Sequence, residues 1–190
     1  ISLLFIANIN KASDNTRNLQ FDMLTINDGL SQGMVNCIIQ DHYGFMWFAT
    51  KDGLNRYDGY SFTVYRHSST DVNSIADNFI SFVYEDSQGR IWIATANNGL
   101  DLFDRETESF IHFRQNEKDT NSLSDDRVTV LSEDKFGCIW AGTVSGLNRI
   151  QIAKKNIAPN TKGKIVNATL NFLEYNTIKV TRVKLDEIGR

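Results

Sequence analysis

Gly89-Arg90-Ile91-Trp92-Ile93-Ala94-Thr95 decides the fold, because the chain carries this phrase three times. The other copies are Gly44-Phe45-Met46-Trp47-Phe48-Ala49-Thr50 and Gly137-Cys138-Ile139-Trp140-Ala141-Gly142-Thr143, so the tryptophans stand 45 and 48 residues apart. The match extends outward. Asp41, Asp86 and Asp134 lie three residues before each Gly, and Gly53-Leu54, Gly99-Leu100 and Gly146-Leu147 follow each Thr. Upstream, Leu30, Ile75 and Leu123 align, as do Val35, Ile80 and Val128; downstream, Phe62-x-x-Tyr65-Arg66 aligns with Phe110-x-x-Phe113-Arg114. A repeat of this length is the size of one propeller blade.

Within a period the signals are those of strands and turns. Val35 to Gln40 is a β-branched apolar run, Asp41 to Gly44 a turn, and Met46 to Thr50 a second run. A turn at Asp52-Gly53, a run from Leu54 to Tyr57, a turn at Asp58-Gly59 and a run from Phe62 to Arg66 complete four short strands. Ile91 to Thr95 is apolar on both faces, so both faces must be covered, as they are when blades stack. Trp47, Trp92 and Trp140 are large enough to fill the space between blades and are predicted to occupy equivalent buried sites on second strands. Small Ala94 or Gly142, two residues on, leaves room for a neighbour. Gly44, Gly89, Gly137, Gly53, Gly99 and Gly146 read as turn residues with positive φ, and the repeated Asp as a carboxylate accepting turn N–H groups. The predicted fold is all-β: a partial β-propeller of three four-stranded blades at about 30–66, 75–114 and 123–175, plus the start of a fourth. The ring is not closed, since closure takes about four to eight blades.

The third period is interrupted. Its fourth strand is read late, at Phe172-x-x-Tyr175, leaving 151–168 as an exposed loop or hairpin extension with four lysines and the only proline, Pro159. Val180 to Arg190 overlays Ile80 to Arg90, so 176–190 reads as the start of the next blade. At the other end an apolar run, Ile1 to Ala7, precedes polar Asn8 to Arg17. Residues 1–18 therefore read as the tail of a secretory signal or a leader, an edge strand being the other reading. Phe21 to Thr25 reads as a strand of the blade that closes the ring. No run reaches the roughly 20 apolar residues of a membrane span.

Composition narrows the partners. With 20 Lys and Arg against 23 Asp and Glu the net charge is −3, which lacks the basic footprint of a nucleic-acid binder. Cys37 and Cys138 have no zinc-ligand spacing and read as packed strand residues, with a disulfide between them left open. His42, His67 and His112 occupy different repeat positions, so neither a catalytic constellation, a metal site nor a cofactor is predicted. The Asp-Gly turns lack the Asp-x-Asp-x-Asp-Gly spacing of a calcium loop.

If the four strands run up and down in order, the loop leading into the first strand and the turn joining the second to the third share one end. These segments vary most between copies: Gln32-Gly33-Met34, Asp77-Asn78-Phe79 and Asp125-Asp126-Arg127 in the first set, Lys51-Asp52, Ala96-Asn97-Asn98 and Val144-Ser145 in the second. Amides, an arginine and an aromatic ring suit sugar hydroxyls and a sugar face, which makes Asn78, Phe79, Asn97, Asn98 and Arg127 the candidate ligand-binding residues. Ordinary solvated loops are the alternative.

Glu85-Asp86-x-x-Gly89-x-Ile91-Trp92-Ile93-Ala94-Thr95-x-x-x-Gly99-Leu100, preceded by Asn73-Ser74-Ile75, resembles the two-component regulator propeller repeat. Phe21-x-x-Leu24-x-x-x-Asp28-Gly29-Leu30-Ser31-Gln32 resembles the opening of the sensor region in hybrid two-component histidine kinases. The resemblance covers roughly 19–190, with departures at Gly33, Ala49 and Ala94 and in the residues after Gly146-Leu147. It implies a ligand-sensing region on the periplasmic side of a membrane-anchored protein, with an oligosaccharide as ligand. It also implies, as partners, the remaining blades and the kinase parts of the same chain; a second copy of the chain is a further candidate partner. This stretch has no phosphorylatable His box or ATP site and is not expected to be an enzyme. A propeller enzyme, such as a polysaccharide lyase or a quinone-dependent dehydrogenase, and a protein-interaction scaffold remain the competing readings.

Overall fold

The computed structural model describes residues 22–154 and 175–183. Twelve strands form three four-stranded antiparallel sheets, each an up-and-down meander, and among the described residues there is no α-helix. The first sheet holds β1 (Val35–Gln40), β2 (Met46–Thr50), β3 (Gly53–Tyr57) and β4 (Phe62–Tyr65). The second holds β5 (Ile80–Glu85), β6 (Ile91–Thr95), β7 (Leu100–Asp104) and β8 (Ser109–Phe113). The third holds β9 (Val128–Glu133), β10 (Ile139–Thr143), β11 (Gly146–Lys154) and β12 (Tyr175–Val183).

The sheets stack face to face, which explains why the second strands are apolar on both sides. All five residues of β6 are buried. Trp47, Ala49 and Leu54 of the first sheet pack with Ile80, Ile91, Ile93 and Phe103 of the second. Trp92, Ala94 and Leu102 of the second pack with Leu131, Ile139 and Ala141 of the third. Trp47 and Trp92 are completely buried, whereas Trp140, in the matching register on β10, is half-buried because no described sheet lies beside it. Trp47 and Trp92 thus each serve the interface with the blade that follows.

A bulge recurs near the start of every first strand, so that Asn36, Ser81 and Thr129 drop out of the ladder. Two of these residues bridge to the next blade: Asn36 Nδ2 donates to the Ile80 carbonyl at 2.8 Å, and Ser81 Oγ to the Val128 carbonyl at 2.6 Å. At the opposite end of β5 and β9 a glutamate hooks the preceding blade's turn. Glu85 accepts the His42 N–H at 2.9 Å, and Glu133 the Ser87 N–H at 2.7 Å.

All six repeated glycines have positive φ. At Gly99 (φ 84°) a Cβ would also stand 2.2 Å from the Phe113 carbonyl oxygen, so sterics and dihedral both demand glycine.

Three expectations are corrected. Tyr175–Val183 is the outer strand of the third sheet, pairing Ile150 with Val180 and Leu147 with Val183. Residues 176–183 therefore do not open a further blade. Val180-x-x-Val183 takes the places of Phe62-x-x-Tyr65 and Phe110-x-x-Phe113, and aliphatic residues at these positions hide the match. Residues 151–154 continue β11 rather than beginning a loop, while the rest of the expected insertion, 155–168, lies outside the described residues, as do Phe172 and 184–190. Asp22 to Thr25 is not a strand. Thr25 instead caps a single 3-10 turn, Ile26–Asp28, through its hydroxyl to the Asn27 N–H, while Asp28 returns a carboxylate to the Thr25 N–H at 2.7 Å. Phe21 and the leader at 1–18 lie outside the described residues.

Candidate functional site

The loops leading into β1, β5 and β9 are tied to the turns after β2, β6 and β10 by one recurring link. Gln32 Oε1 accepts the Lys51 N–H at 3.2 Å, Asp77 accepts from the Asn97 amide at 3.1 Å, and Asp125 accepts from the Ser145 hydroxyl at 2.6 Å. A second link joins successive blades: the Gly53 N–H donates to the Asn78 carbonyl at 2.7 Å and the Gly99 N–H to the Asp126 carbonyl at 2.8 Å. Both sets of loops therefore form one continuous surface held to the sheets.

On this surface the candidate residues divide. Asn78 belongs to the frame, since its Oδ1 caps the His67 N–H at 2.7 Å as Asp126 caps Gln115 at 2.6 Å. Asn98 is half-buried, and its N–H is satisfied by Thr95 Oγ1 at 3.0 Å. Phe79 and Arg127 hold equivalent places just before β5 and β9, where the first blade has exposed Met34. Lys51 from the preceding blade sits 5.2 Å over the Phe79 ring, a cation–π contact. Arg127 is exposed and held flat by two bonds to Asp125, at 3.0 and 2.8 Å. The Arg127 guanidinium and Ser145 hydroxyl hold the Asp125 carboxyl well below the usual range. Asn97 and Arg127 border a groove of about 470 Å³ between the second and third blades, with Gln115, Ser124 and Ser145 also lining it. The arrangement offers amides, hydroxyls and a charge-balanced ion pair, which suits a neutral ligand rich in hydroxyl groups.

The histidines are occupied structurally. His42 pairs with Glu85, His67 Nδ1 meets the Ile75 carbonyl at 2.9 Å, and His112 pairs with Asp101. Cys37 and Cys138 are separate thiols. Among the described residues no group of His, Cys, Asp and Glu is placed to hold a metal ion.

Sequence reasoning missed a buried polar residue on each third strand. Asn55, Asp101 and Asn148, all fully buried, accept the N–H of Ser31, Ala76 and Ser124 at 2.8, 2.7 and 2.9 Å. They fix the loop leading into each blade, and hence the surface above. The signal was present, because all three sit one residue after the repeated Gly-Leu.

The sequence profile of the two-component regulator propeller matches 29–52, 74–97 and 122–145, one match per sheet, each holding the leading loop and first two strands. The chain carries three two-component regulator propeller repeats. Over 59 residues, 31% of its length, it is 46% identical to histidine kinase P4 of Formosa agariphila. The fold of these repeats matches the extracellular domain of the hybrid two-component system BT3049 of B. thetaiotaomicron, at 37% identity over 67% of the chain and a TM-score of 0.63. A second extracellular domain from that organism, BT4673, matches at 25% identity over 69% of the chain, with a TM-score of 0.55. The chain spans 4% of the length of the kinase and 18% of each extracellular domain. Among the described residues no helix is long and apolar enough to cross a membrane.

Proposed function

We propose that these repeats belong to the ligand-sensing propeller of a two-component signalling protein, outside the cytoplasmic membrane, and that they bind an oligosaccharide without turning it over. The observation that carries this reading is the division of labour at one end of the sheets. Buried polar residues of the third strands, Asn55, Asp101 and Asn148, hold the loops, while the exposed or half-buried positions above them differ from blade to blade: Met34, Phe79 and Arg127 in one set, Lys51, Asn97 and Ser145 in the other. The likeness to extracellular domains of hybrid two-component systems supports sensing. In this reading the partners are further blades and kinase parts of the same chain, with a second copy as the means of passing the signal on.

Calorimetric titration of the full-length protein against a glycan panel, run beside an assay for glycan cleavage, tests the proposal. Saturable binding with intact glycan recovered is expected. Cleavage would replace the sensor by an enzyme, and absence of binding across the panel would remove the oligosaccharide.

A further inference from the structure

The connections β4–β5 and β8–β9 fold alike. In the first, Ser74 Oγ donates to the Asp71 carbonyl at 2.7 Å and accepts the Ser68 N–H at 2.9 Å. In the second, Ser122 Oγ donates to the Asp119 carbonyl at 2.7 Å and accepts the Asn116 N–H at 2.8 Å. Each connection is then gripped by a side chain from the fourth strand of the sheet it leads into, at the position opposite the buried polar residue of the third strand. In the third sheet that residue is Arg182, opposite Asn148. It donates to the carbonyls of Ser122 at 3.1 Å, Leu123 at 3.0 Å and Asn116 at 3.3 Å. In the second sheet it is His112, opposite Asp101, with Nε2 3.0 Å from the Val72 carbonyl and Nδ1 2.7 Å from the Asp101 carboxylate.

We infer that His112 is a proton-dependent clamp on the connection between the first two blades, standing where Arg182 provides a permanent one in the third. An imidazole facing acceptors at both nitrogens needs two N–H groups, and a neutral ring has one. When the proton leaves, the ring can serve Asp101 or Val72 but not both. Asp101 is fully buried, and a buried carboxylate reduced to the Ala76 N–H on its other oxygen is a costlier loss than an exposed Val72 carbonyl that water can reach, so the donor stays with Asp101 and Val72 is released. The carbonyl of Asn73 still receives the Phe110 N–H at 3.0 Å, so the release is local to 68–72.

The charges around the ring agree with this order of events. The hydrogen bond to Asp101 raises the imidazole above its ordinary value, burial and Arg114 opposing; burial in turn raises the Asp101 carboxyl, against the bonds from His112 and the Ala76 N–H. Asp71, beside Val72 in the connection, has its carboxylate turned to the Asn73 N–H at 2.9 Å. With the folded value raised, the clamp is closed below the ordinary imidazole range of about 6.5 and opens as pH rises through the higher folded value. Asp71, Asn73 and Ser74 line a cleft of about 670 Å³ together with Tyr65 and Glu108, and of these residues only Asp71 lies in the released stretch.

Amide hydrogen exchange of the full-length chain, corrected for intrinsic rates and followed from about pH 6 to about pH 9, tests the inference through peptides covering 68–74 and 116–122. Protection in 68–74 should fall about tenfold over this range while that in 116–122 changes less than about twofold. His112→Arg should flatten the first profile, and Asp101→Asn should shift its fall to lower pH. Parallel profiles for the two connections in the unmodified protein, or a fall that survives His112→Arg, would overturn it.

Discussion

The indole N–H of Trp92 donates to one oxygen of Asp86 at 2.7 Å, while the other oxygen takes the backbone N–H groups of Gln88 and Arg90, both at 3.0 Å. Trp47 with Asp41 and Trp140 with Asp134 repeat the contact at 2.8 and 2.9 Å. One carboxylate thereby ties the turn before each second strand to the largest side chain within it.

Asp86→Ala leaves a buried indole N–H and two turn amides without their acceptor, an expected loss of about 3 kcal/mol. Trp92→Ala, which empties the interface between the second and third blades, should cost about 3–5 kcal/mol, and half-buried Trp140 about half as much. Urea unfolding of the three variants gives the values; equal losses for the two tryptophans would contradict the stacking described.

Glycines of similar dihedral should respond differently. Gly44 (φ 93°) has open space around a built Cβ, whereas Gly99 (φ 84°) faces the Phe113 carbonyl. Gly44→Ala should cost about 1 kcal/mol for the left-handed backbone alone. Gly99→Ala should exceed that by about 2 kcal/mol or more, because β8 must move. Thermal melts of the pair measure the difference.

Acid sensitivity follows from the same carboxylates. Burial works against ionisation of Asp41, but the Trp47 indole, Arg105 and the Phe45 N–H outweigh it and hold the group below its ordinary value. Asp134 is lowered likewise, against burial, by Trp140, the Cys138 and Phe136 N–H groups and Arg149. A depressed carboxyl contributes fully above its unfolded pKa of about 3.9 and loses that contribution as pH falls through the folded value. Melting temperature should therefore hold down to about pH 4 and drop below it, less steeply in Asp41→Asn. A decline that begins well above pH 4 would assign acid lability to other groups.

At the candidate surface, stability and recognition should separate. Asn78→Ala removes the cap on the His67 N–H and should lower the melting temperature. Phe79→Ala and Arg127→Ala, at exposed or half-buried positions outside the core, should leave melting nearly unchanged and weaken glycan binding about tenfold or more. Binding indifferent to both would move the site elsewhere on the protein.

The repeat was legible because spacing exposes it: three Trp phrases in register fix the second strands, and the turns around them follow from Gly and Asp. The outer strand of the third blade was not, because Val180 and Val183 replace aromatic residues and a β-branched run suits a first strand as well as a fourth. At Thr25 a local capping box prevails where an extended reading seemed as good. The candidate residues were legible as variable, yet their division was hidden. Asn78 and Phe79 are neighbours in sequence, and only the hydrogen bond to His67 shows that one is frame and the other surface.

The inter-blade contacts have a direction. Trp47 is covered by the second sheet and Trp92 by the third, and the His42 and Ser87 turns are hooked by Glu85 and Glu133 from the sheets that come later in the chain. A polypeptide leaving the ribosome N-terminus first therefore completes no blade on its own. The Trp47 face stays open until the second sheet has been made as far as Phe103, whose ring lies 5.3 Å away, and the Trp92 face until the third sheet follows, so vectorial synthesis becomes the order in which the stack is sealed.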